Sequence, residues 1–318
     1  MELTRRSFTK SISAATLGTL ITPFGGLKKF EYTNFKASLV PGSIGLKTDA
    51  SKIISQAVKY KFAAITPILS ELILFSMKQI KEYIKKMSDY NIVFDTTDLP
   101  IEFRLDETTF LNGYENLKSI LPVVSKFNIP GFTTWIMPTN HIYPYMQNFD
   151  IHKARLKKVG RLLNDFDMQL GLEYVGPKTL MSRDKFPFIH TISELRTLID
   201  SIEESNIGYL LDSFHMYCSE DTEIDYKFLK AEDIVSVQIN DAVSGRLINQ
   251  QMDLERNLPG TTKIIDLKGF LSMLKSKSYN GCVSVEPFNK KLNSMEESAK
   301  LQMVSKSIHN TFSLIKNS

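Results

Sequence analysis

The sequence predicts an α/β fold, a single (β/α)8 TIM barrel, and three observations point there. Eight short β-branched or apolar runs alternate with amphipathic segments from residue 38 onward, the pattern of proteins built on a parallel sheet. At 318 residues the chain has room for one such barrel, which typically takes about 250 residues. No Gly-rich phosphate loop follows any of the runs, which ranks an open doubly wound sheet second.

Residues 1–30 stand apart from the barrel domain, read as 31–318. Residues 4–10 are TRRSFTK and lead into the apolar stretch SISAATLGTLITPF. The pattern resembles the twin-arginine export signal of bacteria: Ser or Thr, two arginines, any residue, Phe, then Lys. The apolar part is about 13 residues, short of the roughly 20 that span a bilayer as a helix. The expectation is export to the periplasm, with membrane contact only through this segment if it is not cleaved.

The strand candidates follow in order: 38–46, 62–67, 91–96, 131–136, 168–174, 207–212, 234–240 and 281–286. Between them, Ile80, Tyr83, Ile84 and Met87 recur at helical spacing, as do Leu195, Leu198, Ile199 and Ile202. Leu301, Val304, Ile308 and Phe312 give the last helix its apolar face. Thr191 with Glu194, and Ser294 with Glu297, have capping-box spacing ahead of two helices. The polar segment 241–263, with Pro259 and Gly260, reads as an excursion over the barrel mouth after the seventh strand.

Composition removes several function classes. Hydrophobic residues make up 42% and charged residues 23%, ordinary globular values that exclude a disordered or multispanning chain. Lys and Arg number 39 against 35 Asp and Glu; five of the former and one of the latter lie in residues 1–30, leaving 34 of each sign in the body. A neutral body argues against a nucleic-acid partner. Cys218 and Cys282 read as two free thiols.

Polar residues at strand ends carry the functional signal, because the carboxyl ends of barrel strands face one mouth. Glu173 closes LGLEYVG, Asp212 closes GYLLD with His215 three residues on, Gln238 lies in VSVQIND and Glu286 ends VSVEPF. Each follows an apolar run, so the last four strands deliver carboxylates, an amide and an imidazole to one place. Buried carboxylates need a cation or a proton to compensate them. Trp135, Pro138, Asn140 and His141 follow the fourth strand, where they would wall a substrate pocket. Asp241 and Asp253 read as solvated loop residues.

LGLEYVG, LLDSFHMY, VQINDA, ERNLPG and VSVEPF together resemble the xylose isomerase-like barrel superfamily, in its sugar phosphate isomerase/epimerase branch. The resemblance spans roughly residues 38–315 and rests on the order and spacing of the motifs. It implies one divalent metal ion, Mn²⁺ with Mg²⁺ or Co²⁺ as alternatives, held by Glu173, Asp212, Gln238 and Glu286. It implies that His215 contacts substrate, together with Arg246 or Arg256. The family usually has His where Gln238 stands, and an amide oxygen makes the shell richer in oxygen, which suits Mn²⁺ or Mg²⁺ over Zn²⁺.

The chemistry such a set supports is metal-assisted proton transfer next to a carbonyl, with Glu173 and Glu286 as the proton carriers. The implied activity is that of a sugar isomerase or epimerase acting on a small sugar or keto-sugar. A lyase or dehydratase acting on oxidised glycosides uses the same first step, and a sugar-binding protein without catalysis is the remaining alternative. An abasic-site endonuclease, from the same superfamily, needs many histidines, and the chain has five. The oligomeric state stays open at this level, a homodimer included.

Overall fold

Parallel pairing organises the chain. The computed structural model describes residues 35–316, so the export signal read in residues 4–10 lies outside the described residues. The strands are β1 Lys36–Leu39, β2 Ala64–Ile65, β3 Val93–Phe94, β4 Thr97–Asp98, β5 Gly131–Ile136, β6 Thr139–Asn140, β7 Gln169–Tyr174, β8 Phe186–Pro187, β9 Ile207–Asp212, β10 Ile234–Ile239 and β11 Cys282–Val285. The helices are α1 Ala50–Lys59, α2 Leu69–Leu72, α3 Met77–Asp89, α4 Glu107–Val124 and α5 Tyr145–Asn164. They continue with α6 Ile192–Ile202, α7 Ser213–Ser219, α8 Leu267–Ser276, α9 Lys290–Asn293 and α10 Glu297–Ser313. Among the described residues no helix is long and apolar enough to cross a membrane.

Nine strands form one parallel sheet in the order β3-β2-β1-β11-β10-β9-β7-β5-β4, while β6 and β8 pair antiparallel outside it. The two edge strands of that order are separated in the chain only by Asp95 and Thr96. β3 pairs with β2 and β4 with β5, so the third predicted strand, 91–96, is realised as β3 alone, and a second piece, β4, begins just past its end and takes up the other neighbour. The result is a TIM barrel fold with helices around a curled parallel sheet. The first predicted strand is also shorter than expected: it ends at Leu39, because Pro41 leads the chain into a one-turn helix at Gly42–Ile44.

The helices pack the faces their spacing indicates. Ile80, Tyr83 and Met87 are buried and so are Leu195, Leu198, Ile199, Ile202, Leu301, Val304, Ile308 and Phe312. Thr191 caps α6 by accepting from the Glu194 amide. The second expected cap is corrected: α10 starts at Glu297 behind Glu296, and Ser294 instead ends the short helix α9. Gly131 opens β5 at φ +153°, where a Cβ would overlap the Gln169 carbonyl of β7; glycine there lets the two strands close up. Both cysteines are free.

Candidate active site

Strand register puts the candidate residues on one face. Side chains opposite one another in a parallel pair share a face, and alternate residues along a strand return to it. Gln238 lies opposite both Asp212 and Ser284, and Glu286 continues the alternation from Ser284. Leu172 lies opposite Tyr209, which brings Glu173 to the same side as Asp212. Trp135 lies opposite Glu173. Glu173, Gln238, Ser284, Glu286 and Trp135 line one cleft of about 640 Å³ at the carboxyl ends of the strands, together with His215, Asp253, Arg256 and Asp95, and Asp212 lies fully buried behind Arg256.

Arg256 is the positive centre of the cluster. Its guanidinium, 2% exposed as a residue, donates from Nη1 to Asp212 Oδ2 at 2.7 Å and to Glu286 Oε2 at 3.3 Å, and from Nη2 to Asp253 Oδ1 at 2.7 Å. Asp212 is held from its other side as well. It accepts from the Phe214 amide at 2.6 Å, and Asn240 Nδ2 donates to both of its oxygens, at 3.2 and 3.1 Å. Asn240 in turn accepts from the Glu286 amide at 2.8 Å, so one buried side chain aligns the ends of β9 and β11.

His215 sits beneath this group on α7. Gly176 makes room for it, since a Cβ there would overlap the His215 carbonyl. The Gly176 amide faces Nδ1 at 3.3 Å, and Nε2 lies 3.3 Å from Arg256 Nη2, 3.6 Å from Glu173 and 3.8 Å from Asp253. Burial, and then the Arg256 charge, hold the imidazole well below its ordinary pKa.

The carboxylates outnumber their compensation. Glu173, Asp212, Asp253 and Glu286 carry four negative charges when ionised, and Arg256 supplies one positive charge. Burial first, then neighbouring carboxylates, push Glu173 well above its usual range. Burial also raises Asp212 against the pull of Arg256, and it raises Glu286 to about 8. Among the described residues no donor bonds to the Glu173 carboxylate, whose polar contact is His215.

This donor set fits a divalent ion. Glu173, Asp212 and His215 each offer an atom within 4.8 Å of the others. With its amide nitrogen toward the carboxylates, Gln238 donates to Glu286 at 2.9 Å and Asp212 at 3.2 Å. Turned over, it presents a carbonyl oxygen to the same two carboxylates, a meeting of acceptors that a cation reconciles. Glu173 and Glu286 keep most of their lone pairs for such an ion, while Asp212 would share Oδ2 with Arg256.

The same excess charge gives a pH dependence. An acid whose folded pKa is raised stabilises the fold while it is protonated, and that contribution is lost as pH climbs from its ordinary value toward the raised one. For Glu286 the window runs from about 4.5 to about 8. Chelator-treated protein is therefore expected to melt several degrees lower at pH 8.5 than at pH 6 by circular dichroism. A saturating divalent ion should narrow the gap, and a melting temperature that rises across this window in chelator would contradict the charge count.

The remaining expectations sort clearly. Arg256 lines the cleft and Arg246 does not: Arg246 stands one residue back, paired at 2.5 Å with Glu255, which does line it. Trp135 lines the cleft, whereas His141 borders a neighbouring pocket. Asp241 is corrected from solvated to fully buried, accepting from the amides of Thr262, Lys263, Ile264 and Ile265. Asp253 is corrected too, from a solvated loop residue to a partner of Arg256. Asn240 and the buried Asp95 were not singled out. Asn240 sits two residues after Gln238 and on the same strand face, a spacing that would have found it.

The comparisons agree with this architecture. A family model described as xylose isomerase-like TIM barrel matches residues 54–307. An inosose isomerase from Halalkalibacterium halodurans is 22% identical over 232 residues, covering 67% of this chain and 76% of that protein. Among solved structures, a xylose isomerase domain protein from Alicyclobacillus acidocaldarius superposes with a TM-score of 0.77 at 22% identity, over 89% of this chain and 100% of the other. A structure of the IolI protein with a bound zinc atom has a TM-score of 0.69 at 18% identity, over 88% of this chain and 98% of that one. With most of its length matched by the family model and its candidate residues gathered at the strand ends, the chain belongs to the xylose isomerase-like TIM barrel family.

Proposed function

We propose that the protein is a divalent-metal-dependent sugar isomerase or epimerase that moves a proton next to a carbonyl through an enediolate of the substrate. The observation that carries this reading is the convergence of Glu173, Asp212, Gln238 and Glu286 from four successive barrel strands, with more negative charge than Arg256 balances. The likeness to an inosose isomerase supports a polyhydroxylated carbonyl substrate, and the zinc in a structural relative supports a metal. The export signal read in residues 4–10 belongs to the same proposal. It would place the enzyme in the periplasm, where sugars without phosphate are met.

Glu173, Asp212, Gln238 and Glu286 would hold the ion, which when bound supplies the charge that polarises a substrate carbonyl and steadies the negative charge developing on its oxygen. Glu286, at the end of β11 and facing the cleft, takes the proton from the neighbouring carbon or returns one. Glu173, on another wall of the cleft, serves the second transfer. His215, held neutral by its burial, borders the substrate without repelling the ion. Arg256 fixes Asp212 and Glu286, and Asn240 fixes their strands, so the carboxylates need little rearrangement during the reaction.

The test is proton exchange. Protein stripped by chelator and reloaded with Mn²⁺, Mg²⁺, Co²⁺ or Zn²⁺ is incubated in D₂O with inososes, aldoses, ketoses and 3-keto sugars, and deuterium in substrate and product is read by mass spectrometry and NMR. Exchange is expected only in reloaded protein, with isomerised or epimerised product. Elimination products in place of these would turn the assignment to a lyase. No exchange with any sugar in metal-loaded protein would end the enzymatic reading.

A further inference from the structure

The cleft exceeds what the reaction needs. Proton transfer between neighbouring carbons engages one ring at the carboxylates, yet the cleft measures about 640 Å³. That lies in the middle of the roughly 300–1,000 Å³ range that holds a drug-sized ligand, and one hexose leaves much of it unfilled. A second pocket of about 480 Å³ opens beside it, and Trp135, Met137 and Arg183 line both. Trp135 is thus the ridge between two chambers.

That ridge is built. Trp135, the protein's one tryptophan, is 42% exposed at the end of a strand whose other residues are buried. The Arg104 guanidinium lies 4.2 Å from its ring centroid and donates to its carbonyl at 2.7 Å. Glu102 grips Arg104 with both oxygens, each at 2.8 Å. Arg104 and Glu102 themselves line the second pocket, so the clamped cation covers part of the indole and fixes the ring, which still borders both cavities. Beyond the ridge, Asn140, His141, Tyr143 and Asp184 line the second pocket with amide, imidazole, phenol and carboxylate groups. Asp184 is itself positioned by Thr139 at 2.8 Å. An aromatic platform ringed by such groups suits a sugar ring, whose C–H face stacks on the indole while its hydroxyls reach polar side chains.

We propose that the second pocket is a subsite for a second sugar ring. The substrate is then a glycoside, a disaccharide or longer, laid across Trp135 with its reacting ring at the carboxylates. This rests on the sugar isomerase or epimerase reading of the first cleft.

Binding tests it without turnover. Full-length, metal-loaded protein is titrated with glucose and with a panel of differently linked glucosyl disaccharides, and affinities are read by calorimetry and saturation-transfer NMR. At least one disaccharide is expected to bind ten or more times tighter than glucose. His141→Trp, at an exposed position, fills the second pocket, and Trp135→Ala removes the ridge; each should bring the ratio close to one, with circular dichroism reporting the fold. A panel in which no disaccharide gains over glucose overturns the subsite, as does a gain that survives both substitutions. Absence of deuterium exchange would overturn the reaction while leaving this affinity ratio to be judged by itself.

Discussion

Glu286→Gln is expected to slow substrate C–H exchange in D₂O by about 10²- to 10⁴-fold, the usual contribution of a general acid or base, and Glu173→Gln by a similar factor. The amide keeps an oxygen for the ion and nearly the same volume, so it removes the proton-accepting site with little change in shape. Glu286 is suited to the role by its environment. Without the ion, burial raises its pKa to about 8 even with Arg256 at 3.3 Å; a bound cation would favour the carboxylate, the form that accepts a proton. Metal content has to be measured alongside. If both variants hold the ion and exchange at the wild-type rate, neither glutamate carries the proton, and His215 becomes the candidate.

Arg256→Met is expected to cost about 3–5 kcal/mol of stability in chelator, the range for removing one partner of a buried ion pair. The guanidinium bonds three carboxylates, and methionine fills space without charge. The carboxylates then take up protons, so the loss should be larger at pH 8.5 than at pH 6. A saturating divalent ion should recover part of it by supplying the missing charge, which a purely steric role for Arg256 would not allow. Equal denaturation midpoints for variant and wild type in chelator would show that Arg256 is not the counter-charge of this cluster.

Much of this site is legible in the sequence because barrel strands write it in a simple form. An apolar run that must be buried stops at one polar residue, and that residue falls at the mouth; Glu173, Asp212, Gln238 and Glu286 all obey it. The loop residues do not. Asp253 and Arg256 reach the cluster from a segment with no period, where an acidic residue looks the same whether it faces water or a guanidinium. The burial of Asp241 is hidden for the same reason, since its partners are backbone amides some twenty positions away and amides leave no trace in residue identity. The split of the third strand was equally hidden. Whether residues 93–98 pair continuously depends on how two neighbours are offset, and the offset belongs to the whole ring.

The Asp241 carboxylate has a consequence for how this protein can diverge. It gathers four amides of Thr262–Ile265, and its own backbone bridges to Asn257 at 2.9 and 2.8 Å. Arg256 is tied separately, its amide donating to the Pro287 carbonyl at 3.1 Å. The base of the segment thereby has anchors of its own, beside the Arg246–Glu255 pair that ties it to the tip, residues 244–250. Lengthening a loop is inexpensive, about 0.6 kcal/mol for each doubling, so insertions at the tip can accumulate without displacing Arg256. Changes of length at the tip would then alter the rim of the cleft more than the position of Arg256.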